Sequence, residues 1–543
     1  MSKNSKNKKS RQFKKPDKKT LISLILTAIA VITVIYYMLG PSEGYLHSDC
    51  VDTMTWAGAT IDSGKLFSST FCYPYLLPFG STFLVYPFVA VFGFTMFAYR
   101  FAMLVFMLLL GLGIYYTAKG LGWSRNLSLA AVACEFITVS SSGKLRELFW
   151  EHIIHYSLGA FLAFILLALS FAFIKHFKEN NYSFNNSKKT AILVLCVFLW
   201  SFFSAFDGLT TLTLSSIPVI GALLLVSVFD LKNKIFSKTN WDTALTAIII
   251  IVATALGSII LSIAAKDIGA GYGSAYSNIV DSGEWSNNLM KFLQQWTSLL
   301  GADYEFGGAI TKGKNILAAV KMAGSLVLFF VPVYALFVFG KVNRNEKIFI
   351  IFHWLMTGFI LYGYVFGSLS SVNWRLSPII CSAVIVNIIV WKRLWNVIEL
   401  RRASVLVASL VVLSCVITVG QIWAMPADYG RDNDHHKAIE LLERNGLDYG
   451  YATYWNANVL TLLSSSRVKV RDVNIDEDQP RRGWLNSDNI WFDDQPNQDR
   501  YFFLLTNSEY DDAVNRNHII LENTIDTIRE GNWVIIVKDR NIF

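Results

Sequence analysis

Eleven stretches of this 543-residue chain are apolar enough and long enough to cross a lipid bilayer. A spanning helix needs about 20 consecutive apolar residues, because each adds about 1.5 Å and the hydrocarbon core is about 30 Å thick. The stretches are residues 20–39, 99–118, 127–143, 157–174, 190–206, 212–229, 243–264, 317–340, 348–367, 376–391 and 403–424. Only 16% of the residues are charged, against about 25% in soluble globular proteins. The sequence therefore predicts a polytopic α-helical membrane protein with about 11 transmembrane helices.

The distribution of Lys and Arg predicts the orientation of the chain. Nine basic residues lie within positions 1–19, ahead of the first apolar stretch. Alternate loops are also basic, and basic loops stay on the cytoplasmic side. We therefore expect a basic cytoplasmic tail at 1–19. The basic-poor outer loops include residues 40–98, 143–156 and 265–316. Most of the net charge of +8 lies beside apolar stretches, so it does not point to nucleic acid as a partner.

The chain divides into a membrane domain, residues 20–424, and a polar C-terminal region, residues 425–543. The C-terminal region mixes a helix-like stretch with strand-like stretches such as YGYAT and RVKVRDV, which predicts a small α/β domain. Eleven spans from a cytoplasmic N-terminus place this domain outside the cytoplasm. The first apolar stretch lacks a small-residue cleavage site, so we interpret it as a retained span of a multi-pass protein. Residues 74–93 are apolar but interrupted by prolines, and we expect them to lie along or dip into the membrane surface.

The stretch HSDCVDTMTWAG places Asp49 and Asp52 directly after the first predicted span. A carboxylate at the membrane surface can act as a general base toward a hydroxyl group. Asp49 can equally cap a helix that begins at Val51, with Asp52 favourable in its first turn. These residues alone leave both interpretations open.

The order of short motifs around this loop resembles the GT-C superfamily of membrane glycosyltransferases. Members have a first span, an acidic motif in a large outer loop, a surface helix, a Tyr-Pro element, a Phe-Gly turn and an Arg at the start of the second span. The corresponding residues here are Ser48-Asp49-Cys50, the helix 51–64, Tyr73-Pro74, Phe92-Gly93 and Arg100. Many members have Asp-Glu where this chain has Asp49-Cys50. The resemblance implies a GT-C fold and a polyprenyl-phosphate-linked sugar as donor, and the short motifs suggest a bacterial plasma membrane.

The second outer loop, GKLRELFWEHIIHYS, spaces Glu147, Glu151 and His155 four residues apart. On a helix these side chains would share one face, with Arg146 and His152 beside them. This loop often supplies a second acidic residue in the superfamily, and the resemblance assigns that role to Glu151. The same row could bind a divalent metal. It could also be a solvated helix end in which Glu147 pairs with neighbouring cations.

The stretch SSVNWRLSP places Arg375 at the outer face, directly before a late span. Superfamily members often have an Arg followed by a Pro here, close to the lipid phosphate, and a guanidinium can bind two phosphate oxygens. The resemblance therefore implies that Arg375 binds the donor phosphate. The alternative is an interfacial anchor beside Trp374.

Four further features of the sequence are candidates for a role. Glu135 lies within an apolar stretch, where an ionisable group is a functional candidate, and Asp207 lies near the outer face and could line the same cavity. Cys50 and Cys72 share the opening loop and could pair there. The glycine-rich start of the long outer loop and the amphipathic helix after it predict either a lid or a helix resting on the membrane.

Together these residues predict an inverting glycosyltransferase that moves a sugar from a polyprenyl-phosphate donor to a glycan, lipid or protein acceptor at the outer face of the membrane. The candidate catalytic residues are Asp49, Asp52 and Glu151. The candidate substrate-binding residues are Arg375, Glu147, His152, His155, Arg146 and Asp207. No cofactor is expected, although a divalent metal would fit the second outer loop. A multi-span lipid or solute transporter, favoured by Glu135, and an envelope-assembly scaffold are the alternatives.

Overall fold

The computed structural model describes residues 17–183, 188–229, 240–272, 278–428, 430, 432–496 and 498–543. The helices in this part of the chain are α1 (Lys18–Leu39), α2 (Asp52–Ser63), α3 (Tyr86–Phe92), α4 (Met96–Gly120), α5 (Arg125–Thr138), α6 (Gly143–Arg146), α7 (His155–Glu179), α8 (Lys188–Ser204), α9 (Gly208–Thr211), α10 (Ile217–Phe229), α11 (Trp241–Ala264), α12 (Glu284–Leu299), α13 (Gly313–Val338), α14 (Arg344–Val365), α15 (Ser377–Trp395), α16 (Arg401–Trp423), α17 (Asp434–Arg444), α18 (Asn458–Leu463) and α19 (Asn507–Asn515). The strands are β1 (Phe71–Cys72), β2 (Tyr449–Ala452), β3 (Lys469–Asn474), β4 (Arg481–Arg482), β5 (Ser487–Asp488), β6 (Tyr501–Thr506), β7 (Asp526–Glu530) and β8 (Trp533–Lys538).

Nine helical segments within the described ranges are long and apolar enough to span a membrane. They are Lys18–Leu39, Met96–Gly120, His155–Glu179, Lys188–Val228, Trp241–Ala264, Gly313–Lys341, Arg344–Val365, Asn373–Trp395 and Ile398–Trp423. The segment Lys188–Val228 has 41 residues, about twice the length that one crossing needs. It is made of α8 and α10, which are separated by a break.

The chain reverses direction at this break. Gly208 adopts a φ of +56°, a left-handed conformation that glycine reaches without strain. The carbonyl of Phe202 lies against Gly257 of α11, and Ser216 accepts a hydrogen bond from Thr254, one turn earlier on α11. Residues 202 and 216 therefore contact neighbouring turns of α11. Because the chain returns to the same part of α11 within 14 residues, α8 and α10 form a helical hairpin.

Helices occupy all eleven predicted stretches, and the predicted polytopic helical fold is confirmed. The prediction for 127–143 overestimated the length of that helix. α5 has 14 residues, about 21 Å, and ends at Thr138 before the second outer loop. The apolar helical stretch Phe79–Phe92 is also shorter than a span.

Close helix approach in the membrane domain depends on small residues, as at the contact between α4 and α7. A Cβ atom at Gly120 would lie 2.6 Å from Phe171, so only glycine fits without displacement. One turn away, Thr117 Oγ1 donates a hydrogen bond to the carbonyl of Phe164 at 2.6 Å. Small residues and interhelical hydrogen bonds are the features that pack helices in lipid, where no hydrophobic force distinguishes protein from solvent.

The C-terminal region is built on a six-stranded sheet in the order β4-β3-β2-β6-β8-β7. Strands β3, β2 and β6 are parallel, and the remaining pairs are antiparallel. Along β6, Phe502 and Leu504 join one apolar cluster while Phe503 and Leu505 join another. Both faces of the sheet are therefore buried at β6, as expected for a central strand of an α/β region, and the predicted α/β character is confirmed.

The opening loop and the C-terminal region are joined directly. β1 pairs antiparallel with β5, with Phe71 opposite Asp488. Ser466 donates a hydrogen bond to the carbonyl of Phe94 at 2.8 Å, just before α4. The C-terminal region therefore packs on the end of the membrane domain that carries the opening loop.

Candidate functional site

Asp49 lies on a short 3-10 turn, residues 48–51, between α1 and α2. Its Oδ1 atom accepts a hydrogen bond from the phenol of Tyr454 at 2.6 Å, and Ser48 donates to the backbone carbonyl of Tyr454. Val51, the N-cap residue of α2, makes no side-chain capping bond. The capping interpretation of Asp49 is therefore wrong, because its carboxylate is held by the C-terminal region.

Asp52, the first residue of α2, is buried at 5% exposure. Its Oδ1 atom accepts a hydrogen bond from Asn486 Nδ2 at 2.5 Å. Asn486 is held in turn by Trp56, whose indole nitrogen donates to Asn486 Oδ1 at 2.6 Å. Burial, followed by the charge of Asp49, raises the pKa of Asp52 well above its usual range. The raised pKa favours a protonated carboxyl group, which cannot accept a further proton.

Tyr454 lies between the two aspartates. Its phenol oxygen is 3.5 Å from Asp52 Oδ1 as well as bonded to Asp49. Burial, followed by the charges of Asp52 and Asp49, raises the pKa of Tyr454 far above its usual range. The phenol therefore stays protonated and acts as a permanent donor to Asp49.

The second outer loop does not form the helix that would align Glu147, Glu151 and His155. Residues 147–151 form a wide π-helical turn, and His152 then has extended backbone with φ −122° and ψ 138°. His155 begins α7 with a φ of +33°. The prediction of a shared face is wrong, because four-residue spacing aligns side chains only on an uninterrupted α-helix.

The carboxylate of Glu147 lies close to the side-chain nitrogen atoms of one lysine and two histidines. Its Oε1 atom lies 2.5 Å from Lys144 Nζ, 3.3 Å from His47 Nε2 and 3.7 Å from His152 Nε2. Burial would raise the pKa of Glu147, but the hydrogen bond from His47 and the neighbouring cations outweigh burial and lower it to about 2. Burial likewise would lower the pKa of His47, but Glu147 and then Asp49 outweigh it and raise that pKa. Glu147 is thus an ionised anchor, as the alternative of pairing with nearby cations predicted.

Glu151 faces the opposite side, toward α1 and the opening loop. Its Oε1 atom accepts a hydrogen bond from the phenol of Tyr37 at 2.5 Å, and its Oε2 atom lies 3.8 Å from Cys50 Sγ. Burial raises the pKa of Glu151 to about 7, despite the opposing hydrogen bond from Tyr37. Cys50 and Cys72 are both free thiols, so the pairing considered for them is not present.

His152 is buried with a neutral ring. Burial lowers its pKa to about 4, and neither ring nitrogen has a hydrogen-bond partner in the described part of the chain. Donor atoms of His47, Cys50 and His152 lie within 4.8 Å of one another. Imidazole nitrogen and cysteine sulfur are ligands that zinc accepts. The residues that could hold a metal therefore differ from the predicted row of Glu147, Glu151 and His155.

Arg375 lies on a 3-10 turn before α15 and is 9% exposed. Its Nη1 atom donates a hydrogen bond to the carbonyl of Ser368 at 3.1 Å, and its charge acts on the ring of His155. The ring of the preceding Trp374 lies 4.3 Å from Nζ of Lys144, a residue of the second outer loop. The structure thus brings Arg375 to the cluster formed by the second outer loop.

Arg146 is buried beside the Tyr37–Glu151 pair. Its Nη1 atom donates to the carbonyl of Ser140 at 3.1 Å, and its guanidinium carbon lies 5.1 Å from the ring centroid of Tyr37. The positive charge of Arg146 acts on Glu151. Arg146 therefore adds a cation next to Glu151.

Two predicted acids lie outside this cluster. Asp207, at the break between α8 and α10, accepts a hydrogen bond from the backbone amide of Phe79 at 2.7 Å, which ties the break to the opening loop. A substrate-binding role for Asp207 stays a prediction. Glu135 is buried on α5 beside Cys381 of α15, and its role in transport likewise stays a prediction.

The helix expected as a lid, α12, is packed into the membrane domain along one side. Trp296 is fully buried and donates a hydrogen bond from its indole to the carbonyl of Ser325 at 2.8 Å. Leu289, from the same predicted stripe, is 61% exposed. The glycine-rich hinge predicted before this helix falls partly on residues 273–277, which lie outside the described residues.

Sequence reasoning did not assign three side chains that hold the acids in place. Asn486 and Tyr454 come from the C-terminal region, and Tyr37 comes from within α1. Only Tyr454 had a local signal, its place in TYWNAN at the end of a predicted strand, where loops often carry functional residues. That signal does not specify which residues the side chains contact.

No protein-family profile matches this chain, and no curated protein sequence matches it. Among solved structures, ArnT from Cupriavidus metallidurans bound to undecaprenyl phosphate matches with a TM-score of 0.52 and 12% identity, over 95% of this chain and 98% of that chain. The apo state of ArnT matches with a TM-score of 0.51 and 11% identity over the same shares. The apo oligosaccharyltransferase of Archaeoglobus fulgidus has a TM-score of 0.49 and 12% identity over 82% of this chain.

The match to ArnT covers nearly the full length of both proteins, whereas this chain spans 64% of the archaeal oligosaccharyltransferase. At 12% identity the match establishes a common architecture and not a common reaction. The chain thus has the GT-C membrane fold that its opening-loop motifs resemble.

Proposed function

We propose that this chain is an inverting glycosyltransferase that moves a sugar from a polyprenyl-phosphate donor to an acceptor hydroxyl at the outer membrane surface. The observation that carries the proposal is that Asp49 and Arg375 border one cluster of acids and histidines. The charge of Asp49 acts on His152, and the charge of Arg375 acts on His155, three residues further along. A proton acceptor and a phosphate-binding cation are thus available on two sides of the same loop. The bound undecaprenyl phosphate of ArnT supports this class of donor.

In the proposed reaction, the acceptor oxygen attacks the anomeric carbon of the donor sugar. The bond between that carbon and the phosphate oxygen breaks, and the lipid phosphate leaves with the electron pair. Asp49 takes the proton of the acceptor hydroxyl. The guanidinium of Arg375 pairs with the charge that develops on the phosphate. Attack opposite the leaving phosphate inverts the anomeric configuration.

The surrounding side chains position these two groups. Tyr454 fixes the carboxylate of Asp49 from the C-terminal region. Glu147 pairs with Lys144 of the second outer loop and with His47 of the opening loop. A preorganised set of charges lowers the barrier, because nothing has to reorient as the transition state forms.

From the alternation of basic loops we further infer that the N-terminus is cytoplasmic and that the site faces the outside of the plasma membrane, which the short motifs suggest is bacterial. The proposal is tested by a cysteine at Asn515, an exposed residue of α19, in a chain whose native cysteines are replaced. A membrane-impermeant maleimide should label this cysteine in intact cells. Labelling only after permeabilisation would overturn the orientation.

The glycosyltransferase itself is tested in cells that lack the gene. Mass spectrometry should show a polyprenyl-phosphate sugar that accumulates and an envelope glycan that loses a sugar, and the parent gene should restore both. Asp49→Asn keeps the shape of the side chain but cannot accept the proton, so we expect transfer to slow by about a hundredfold or more. Asp511→Asn, an exposed acid of α19, is the control.

Two results would contradict this proposal. One is full restoration of the glycan by Asp49→Asn at the abundance of the parent protein. The other is an unchanged set of lipid-linked sugars and envelope glycans in the cells that lack the gene.

A further inference from the structure

A cavity of about 270 Å³ lies between α2 and the C-terminal region. Thr55, Ala59 and Asp62 line it from α2, and their spacing of four and three residues places them on one helical face. Thr55 follows Asp52 by one helical turn, so the cavity starts where the acidic site ends.

The opposite wall of this cavity is basic. Lys469 and Arg471 both line the cavity from β3. They are two residues apart, so they point to the same face of the strand. None of the ion pairs shorter than 4.0 Å in the described ranges includes either residue. Neither cation is therefore neutralised by a close carboxylate.

The guanidinium of Arg471 is held in position by an aromatic ring. Its central carbon lies 4.0 Å from the ring centroid of Trp491, which also lines the cavity. Stacking of this kind holds a guanidinium while leaving its edge free to bind an anion. The Nε atom of Arg471 is buried and has no hydrogen-bond partner within the described ranges. An unsatisfied buried donor is costly unless a ligand or water completes it.

Asp62 adds a carboxylate to the same wall of α2. It acts on Arg471 through its charge, as does Asp488, without a close ion pair. A purely anionic ligand would be repelled by this carboxylate. A ligand with both an anionic group and hydroxyl groups can use the cations and the carboxylate together, because carboxylate oxygens accept hydroxyl hydrogen bonds.

The size of the cavity limits the ligand. Pockets for drug-sized molecules measure about 300–1,000 Å³, so 270 Å³ suits a single sugar ring. The rim includes Phe94, and the nearby Val91 is 72% exposed on α3. An exposed apolar side chain at this position is expected at the membrane surface, so we expect a membrane-bound acceptor to approach the cavity from this side.

We propose that this cavity binds one sugar residue carrying a phosphate or carboxylate group, as part of the acceptor. Arg471 and Lys469 bind the anionic group, and Asp62 accepts hydrogen bonds from ring hydroxyls. Asp62 is ten residues from Asp52, about 15 Å along a helix. The hydroxyl that reacts at Asp49 then belongs to a neighbouring unit of the acceptor. That the bound sugar belongs to the acceptor rests on the proposed function, whereas the binding of a charged sugar in this cavity does not.

The binding is tested on the purified full-length chain in detergent, with no donor present. Calorimetry would compare glucose 6-phosphate, glucuronate, glucose and inorganic phosphate as probes. We expect saturable binding of a charged sugar and binding at least tenfold weaker for glucose and for inorganic phosphate. Lys469→Gln and Arg471→Gln should each weaken binding of the charged sugar at least tenfold. Arg467→Gln, an exposed residue that pairs with Glu443 outside the cavity, is the matched control.

Lys469 is exposed, so Lys469→Gln should fold normally. The test therefore remains valid even where Arg471→Gln fails to fold. The cavity proposal would be overturned by equal binding of glucose and the charged sugars, or by unchanged binding in Lys469→Gln. Binding of inorganic phosphate as tight as that of glucose 6-phosphate would overturn the assignment to a sugar. Displacement of the probe by phosphatidylglycerol nanodiscs but not by glucuronate would assign the cavity to a lipid headgroup instead. Absent binding with normal glycan transfer in cells would refute this inference alone, whereas binding without transfer would refute the proposed function.

Discussion

The phenol of Tyr454 and the carboxylate of Asp49 share a 2.6 Å hydrogen bond across 405 residues of sequence. A second bond of the same kind joins Asn486 to Asp52. Both acids of the opening loop are therefore held by the C-terminal region, and Ser48 adds a third bond to the backbone of Tyr454. This region is consequently part of the candidate site and not an appended domain.

The first prediction concerns Tyr454→Phe, which removes one hydroxyl group and leaves the ring. A hydrogen bond to a charged group contributes about 1.5–3 kcal/mol, so we expect transfer to slow by roughly tenfold to a hundredfold. The protein should remain folded, because the packing of the ring is kept. Glycan transfer and melting temperature are the two measurements.

Tyr510→Phe is the control for this change, since Tyr510 lies on α19 and stacks with Arg529 away from the acids. Transfer at the parent rate in Tyr454→Phe would show that the hydrogen bond to Asp49 is dispensable. A large loss of melting temperature would instead point to a role in folding.

The second prediction concerns Arg375 and the donor phosphate. Arg375→Ala should weaken binding of undecaprenyl phosphate by about tenfold or more, and Arg375→Lys should recover only part, because an ammonium lacks the planar fork of a guanidinium. Native mass spectrometry of the purified chain measures the bound lipid. Arg402→Ala, an exposed basic residue of α16, is the control, and equal lipid binding in all three variants would exclude the phosphate role.

The third prediction follows from the raised pKa of Glu151, about 7 against an ordinary value of 4.5. Between these values the folded chain holds more protons than the unfolded chain, so the free energy of unfolding falls as pH rises through this window. The contribution is on the order of 1 kcal/mol per pH unit. Glu151→Gln cannot titrate but keeps an oxygen that accepts the hydrogen bond from Tyr37.

We therefore expect the melting temperature of Glu151→Gln to rise relative to the parent between about pH 4.5 and pH 7, and the gap to stay constant above pH 7. Fluorescence melting in detergent across this range provides the measurement. Glu440→Gln, an exposed residue of α17, should show no such trend. A gap that does not change with pH would mean that Glu151 is ionised at its ordinary pKa.

The fourth prediction concerns metal removal. Because the proposed proton acceptor and the proposed phosphate-binding group are both side chains, we expect transfer to survive treatment with EDTA. One group in the described part of the chain, His47, Cys50 and His152, offers three metal ligands within 4.8 Å. Loss of transfer on chelation, recovery with zinc and absence of that recovery in Cys50→Ser would overturn the expectation and assign a zinc ion to these residues.

Features of the site that depend on neighbouring residues could be predicted from the sequence, whereas those that depend on contacts between distant residues could not. The positions of Asp49 directly after the first span and of Arg375 directly before a late span followed from local motifs, whereas the closeness of Arg375 to the second outer loop did not. The row of Glu147, Glu151 and His155 did not form, because the spacing rule presumes an uninterrupted helix. A π-helical turn and an extended segment replace that helix, and no local propensity in ELFWEH distinguishes the two outcomes.

The sequence by itself determined where the membrane helices of this protein lie. The length and hydropathy of a spanning helix depend only on residues within that helix, so both can be read from a local stretch of sequence. The first span was predicted to begin at residue 20, and α1 begins at Lys18; the span predicted to end at residue 264 is α11, which ends at Ala264. Only the tertiary structure decided which side chains hold the acids. The partners of Asp49 and Asp52 lie more than 400 residues away, and a hydrogen bond gains its strength from burial and geometry that exist only after the C-terminal region has packed onto the opening loop.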